Sequence, residues 1–325
     1  MGRDVTPPSA PPLQERGLDC GTLIRLALLL LGLTLATATP ALAQDNGRFV
    51  EIAAMPSANI APPHVTIWLP PGYDGGKRRY GVLYMHDGQN LFDPSLSAFK
   101  KVWGVDGSIR RLVAAKRIAP VIVVGIWNPG VDRYRQYLPK ALHDAASPRL
   151  RAELDRLAGG PILSDAYLRF IIEELKPSID RDYRTLPGRD YTAIAGSSMG
   201  GLISLAAIAQ YPRVFGRAAL ISTHWPLGDP ANVGPFSPDV AALWRTYLDT
   251  RLGAPAGRRI WSDHGTATLD AAYGPYQEAI DADFARLGWK RGHDYESRVY
   301  PGAAHEELSW AARLDEVLGW LLAGR

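Results

Sequence analysis

Cysteine is almost absent: of 325 residues only Cys20 carries a thiol. It precedes an apolar run, whereas a lipid-modified cysteine would follow one. A processed chain that begins after that run would carry no thiol, which excludes disulfides and thiol catalysis. Runs of like charge are missing too. The 36 basic and 33 acidic residues leave a formal net charge of +3, and nothing in their distribution suggests a nucleic-acid partner. Neither H-E-x-x-H nor CxxC spacing occurs, and the pairs His86-Asp87 and Asp263-His264 are too sparse to predict a metal site. No internal repeat or low-complexity tract interrupts the chain. What remains is 46% apolar and 21% charged, enough for one sizeable core.

The amino-terminal stretch has a function of its own. After Arg16 and Arg25 comes LALLLLGLTLATA, and then Ala41-Leu42-Ala43 before Gln44, a small-x-small cleavage pattern. The run is short against the ~20 residues that span a bilayer, and Pro40 closes it. The pattern predicts a signal peptide over residues 1–43, a single mature domain over 44–325, a periplasmic or secreted location, and no stable membrane insertion after cleavage.

In the mature chain, β-branched or aromatic runs alternate with helical patterns. HVTIWLP (64–70) and YGVLYMH (80–86) read as strands separated by the turn-rich PGYDGGKRR, and APVIVVGIW (119–127) reads as a strand covered on both faces. SDAYLRFIIEELKPSI (164–179) reads as a helix capped by Ser164, with Tyr167, Phe170, Ile171 and Leu175 at helical spacing. YTAIAG, GRAALIS, GRRIWSD and YESRVYP supply further strands, and an amphipathic helix closes the chain. This order predicts an α/β fold: a mostly parallel sheet with helices on both faces, opened by an antiparallel pair. Residues 128–161 and 224–238 follow strands and leave the sheet at its carboxyl edge, where ligands bind in such folds, so they read as walls or a partial lid over a site.

Gly196-Ser197-Ser198-Met199-Gly200 matches G-x-S-x-G in one register only, with Ser198 at the centre, an apolar strand before it and a helix after it. At a helix amino end, free N–H groups and the dipole favour developing negative charge. A serine needs a base to remove its proton and an acid to orient that base. His305 is the best placed base, just after the last strand; His224 and His264, at strand ends, compete with it. Asp270, several residues into its loop, suits the acid better than Asp263, which sits in or at the end of the strand. An oxyanion hole would come from the amide of Met199 and, in the loop HDGQNLFD, from that of Gln89, beside a glycine that lets the backbone approach closely. Trp225 and Tyr273 follow strands near the site and could stack on a sugar or phenolic acid; Arg133 could contact an acyl or sugar group or form a structural ion pair. No metal or organic cofactor is expected.

With VTIWLPPGYDGG, VLYMHDGQNLFD, GSSMGG, YPRVFGRAALIS, DHGTATLD and PGAAHEELSW, the chain resembles, over about residues 64–322, an esterase family of the α/β-hydrolase superfamily. That family includes feruloyl esterases, siderophore esterases, S-formylglutathione hydrolase and mycolyl transferases. The resemblance implies Ser198 as nucleophile, His305 as base, Asp270 as acid, and Gln89 and Met199 as the oxyanion hole, acting on a small-molecule or carbohydrate-linked ester. One position departs from the pattern: relatives often carry R-x-x-E-Y, and here Gln136 replaces the glutamate between Arg133 and Tyr137. Two other functions remain compatible with the sequence: acyl transfer by the same triad to a sugar or lipid hydroxyl, and a silent hydrolase fold used for binding, in which part of the triad would be expected to be lost.

Overall fold

Side chains alternate across the central strands, and each face of the sheet takes one set. In β3 (Gly81–His86), Val82 and Tyr84 enter one core cluster while Leu83 and Met85 enter the other; in β4 (Val121–Ile126), Ile122 and Val124 oppose Val121 and Val123 in the same way. Both faces are apolar, so both must be covered, and helices cover both. The computed structural model describes residues 1–2, 45–97, 99–234 and 236–324. The leader expected at 1–43 lies almost wholly outside the described residues.

The sheet has eight strands in the order β1-β2-β4-β3-β5-β6-β7-β8, where β1 is Arg48–Ile52, β2 Val65–Leu69, β5 Thr192–Ser197, β6 Arg217–Ile221, β7 Arg259–Gly265 and β8 Tyr295–Tyr300. β1 with β2 and β2 with β4 run antiparallel; every other pair is parallel. The antiparallel opening is therefore not made by the two runs flanking PGYDGGKRR, because β3 inserts between β4 and β5. β1 has no counterpart in the sequence reading: RFVEI is an edge strand whose Arg48, Phe49 and Glu51 are exposed, so it lacks a clear apolar alternation.

The helix Met199–Gln210 is buried from Met199 to Ala209. Its sequence, MGGLISLAAIAQ, is apolar all round and rich in small residues, as a helix enclosed between sheet and further helices requires. The segment expected as one helix from Ser164 runs on through a π turn at Phe170–Leu175 to Asp182. Ser164 does not cap it; its Oγ accepts a bond of 2.8 Å from the Lys140 amide. On the opposite face Val105–Ala114 and Glu307–Leu321 cover the strands. Among the described residues no helix is long and apolar enough to cross a membrane.

Candidate active site

Ser198 stands between β5 and the buried helix with φ 57° and ψ −121°, a region in which a non-glycine residue costs on the order of 1–3 kcal/mol. The surroundings over-determine it. Its N–H donates to the Ile221 carbonyl at 2.9 Å, and its own carbonyl accepts from Gly201 at 3.0 Å and from His224 at 3.2 Å. The turn is so tight that a Cβ on Gly196 would lie 2.9 Å from the Gly200 carbonyl, which explains the glycine at that position. The half-buried hydroxyl thus projects from the start of a helix at the carboxyl edge of the sheet.

His305 lies in the loop between β8 and the last helix, where its N–H donates to Thr268 Oγ1 at 2.8 Å. Its Nδ1 is 2.6 Å from Asp270 Oδ1. The other oxygen of that buried carboxylate accepts from the Gly265 amide and the Ser222 hydroxyl, each at 2.6 Å. Burial raises the Asp270 pKa, but the bonds from His305, Ser222 and Gly265 outweigh it and leave the group below its ordinary range. An ionised Asp270 fixes the proton of His305 on Nδ1 and leaves Nε2 as a lone pair. The rings of Tyr273 and Trp310 meet the imidazole edge-on, with centroids at 5.7 and 5.2 Å.

Tyr273, whose ring meets His305, bonds through its hydroxyl to His224 Nδ1 at 2.7 Å, and among the described residues no hydrogen bond links the Ser198 side chain to His305. Sequence reasoning missed the contact between Tyr273 and His224, and it missed Ser222, which receives bonds from Trp310 Nε1 at 3.0 Å and Arg313 Nη2 at 2.7 Å while donating to Asp270. A serine ending a strand carries no local signal for that role.

Gln89 and Met199, whose amides are expected to form an oxyanion hole, each lie in the first turn of a helical segment. Met199 opens its helix, so its N–H has no partner within that helix. Gln89 sits in the 3-10 turn Gly88–Asn90, whose bonds use the amides of Asn90 and Leu91. Gly88 is obligatory here, since a Cβ would approach the Gly125 carbonyl carbon to 2.6 Å.

The remaining candidates divide. Arg133 donates from Nε and Nη2 to both oxygens of Asp87, at 2.7 and 2.8 Å, and Asn128 Nδ2 donates to the same carboxylate at 2.7 Å. Two of its donors are thus committed to a clamp between the Gln89 loop and segment 128–161, the structural ion pair that is one of the two roles expected for it. Replacing Arg133 by methionine would strand a buried carboxylate, at an expected cost of about 3–5 kcal/mol read from urea midpoints. Trp225 requires correction: it is fully buried, packs on Trp244, and donates from Nε1 to Gln277 Oε1 at 2.8 Å, so it offers no face to a substrate. Tyr273 is equally buried and cannot stack on one. Asp263 does not meet His305: it accepts from Arg313 and Trp261 at 2.7 Å each and from the Ser222 amide at 3.2 Å, and is joined to Asp270 only through Ser222 and Arg313. His264 is buried against the Gly265 carbonyl.

Segments 128–161 and 224–238 meet at the rim. Tyr134 donates to the Leu227 carbonyl at 2.9 Å and Asn232 to Glu153 at 3.0 Å. Beside Gln89 opens a cavity of about 430 Å³ lined by Phe49, Phe92, Trp127, Glu51 and Asp93. A larger one, about 620 Å³, lies near Gly81, Val121, Ala193 and Arg217, at the amino ends of the strands and far from this chemistry.

Two buried histidines make a stability prediction. Burial lowers the pKa of His86 to about 3 and that of His224 to about 4, against 6.5 for the free side chain. Below pH 6.5 the unfolded chain binds protons that the folded chain refuses, so stability should fall as pH drops toward 4. Each group contributes up to ~1.4 kcal/mol per pH unit in that window. Urea midpoints at pH 7, 6 and 5 measure this, and a flat profile would contradict it.

Comparison with known proteins bears on the family and the fold. The family model described as "Putative esterase" matches residues 60–321. The endo-1,4-beta-xylanase/feruloyl esterase of Xylanibacter ruminicola is 27% identical over 260 residues, 77% of this chain and 28% of its own length. The ferri-bacillibactin esterase BesA of Bacillus subtilis is 28% identical over 153 residues, 45% of this chain and 49% of its own. This chain therefore spans less than half the length of either relative. An IroE-like serine hydrolase from Shewanella oneidensis superposes with a TM-score of 0.61 at 20% identity, over 84% of this chain and 78% of that one, a likeness of fold. With the family model matching most of its length and the sheet ordered as described, the chain belongs to the esterase family of the α/β-hydrolases, a carboxylic ester hydrolase by class.

Proposed function

We propose that the chain is an exported serine esterase that cleaves small-molecule carboxylic esters through an acyl-enzyme. The observation that carries this reading is the anchored Asp270–His305 pair at 2.6 Å, which leaves a bare Nε2 on the same rim as the strained Ser198. His305 takes the Ser198 proton as Oγ attacks the ester carbonyl, and the amides of Gln89 and Met199 receive the oxyanion. The imidazolium, held by Asp270, then protonates the departing alkoxide; water repeats the sequence and releases the acid. The apolar and aromatic cavity beside Gln89 suits a bulky arm of the substrate. The relatives named for feruloyl and ferri-bacillibactin esters make aromatic acyl groups and siderophore esters the first to try.

A panel of acetyl, butyryl, feruloyl and catecholate esters tests the reading. Hydrolysis of at least one, with a pre-steady-state burst of the alcohol when deacylation is slow, is expected; no turnover across the panel would overturn it. Export rests on the leader pattern that ends at Ala43, and the amino-terminal sequence of the secreted protein should begin at Gln44.

A further inference from the structure

Ser222 follows the last residue of β6 and touches both acids of this region. Its amide donates to Asp263 Oδ1 at 3.2 Å, and its hydroxyl lies 2.6 Å from Asp270 Oδ2. A serine oxygen has one hydrogen and two lone pairs. Trp310 Nε1 at 3.0 Å and Arg313 Nη2 at 2.7 Å can only donate, so they take both lone pairs. The single hydrogen must therefore point at Asp270, whose ionised carboxylate only accepts. The residue is fully buried and holds φ at 41°, a left-handed value that is strained for any residue but glycine. Arg313 is buried too; Asp263 takes its direct ionic bond at 2.7 Å, and among the described residues it meets Asp270 only by way of the Ser222 hydroxyl.

We propose that Ser222 is a positioning residue: with the Gly265 amide it holds Asp270 Oδ2, which keeps Oδ1 on His305, and it carries the positive field of Arg313 to the catalytic carboxylate. This rests on the serine-esterase reading and adds to it a support for the acid. A guanidinium bonded directly to Asp270 would compete with His305 for the carboxylate. A hydroxyl polarised by that guanidinium stabilises the anion and leaves Oδ1 to the imidazole. Asp263, by taking the direct bond, holds Arg313 back from Asp270. Ser222 is fully buried, so it acts through Asp270 and not through contact with substrate.

The test is the kinetics of Ser222→Ala and Ser222→Gly beside the wild type. Both remove the hydroxyl, but glycine also relieves the strain at φ 41°, so a loss shared by the two belongs to the hydroxyl and not to the backbone. A hydrogen bond to a charged group contributes roughly a factor of ten or more to the orientation it holds. For a short p-nitrophenyl ester, kcat is therefore expected to fall about tenfold in both variants with KM unchanged. The acid limb of kcat/KM should move to higher pH, since a carboxylate with one bond fewer holds the proton it shares with His305 more tightly. Wild-type kcat in either folded variant, or an acid limb that stays in place or moves to lower pH, would overturn the proposal. A wild type that hydrolyses no ester and takes no fluorophosphonate would instead overturn the serine-esterase reading, so the two failures are distinct. Should neither variant fold, a crystal structure of the phosphonylated wild type decides: Ser222 Oγ bonded to Asp270 Oδ2 supports the proposal, and Ser222 Oγ turned away from it, with Asp270 still bonded to His305, overturns it.

Discussion

Replacing Ser198 by alanine is expected to lower kcat for short p-nitrophenyl esters by roughly 10⁶-fold, with KM little changed. The substitution removes one hydroxyl and leaves the fold in place, because the elbow is held by backbone bonds to Ile221, Gly201 and His224 that alanine keeps. Without Oγ no acyl-enzyme forms, and His305 can at best activate water from a distance. The amides of Gln89 and Met199 would still polarise the carbonyl, which accounts for the residual rate. Members of a triad act as a unit, so His305→Ala should fall about as far and the double variant little further. Steady-state kinetics at a single pH, with circular dichroism to establish folding, measure the effect. A loss under tenfold in folded S198A would contradict the assignment.

Asparagine at 270 and at 263 should separate catalysis from stability. Asp270 holds the proton of His305 on Nδ1; an asparagine there can present an N–H to that nitrogen and drive the proton to Nε2, the atom that must accept from Ser198. A drop of roughly 10⁴-fold in kcat is expected for D270N. Asp263 is as buried, yet it accepts from Arg313, Trp261 and the Ser222 amide and not from His305. D263N leaves the Arg313 charge uncompensated at depth, an expected loss of about 3–5 kcal/mol in stability, while the folded fraction should keep kcat within tenfold. Paired urea titrations and rate measurements check both halves; a reversed pattern would make Asp263 the acid.

What the sequence reveals about the site depends on how local each feature is. The turn at Ser198 is written into five consecutive residues, because the strand, the steric demand for glycine and the helix all fall within reach of one another. His305 and Asp270 can be placed only by counting strands and asking which loop reaches the rim. The Asp87–Arg133 clamp joins residues 46 positions apart, and Ser222 reaches Asp270 over 48. No local pattern marks either contact. Trp225 shows the opposite error: an aromatic after a strand reads the same whether the chain runs outward or folds inward, and here the indole turns in toward Gln277. β1 escapes notice because an exposed edge strand needs no apolar alternation.

Peptide mapping of the fluorophosphonate-treated protein by mass spectrometry tests the central assignment most directly. The adduct is predicted on Ser198 and nowhere else, and it should be absent when His305 is replaced. An adduct on the adjacent Ser197, or full esterase activity in a protein that carries no adduct at Ser198, would contradict it.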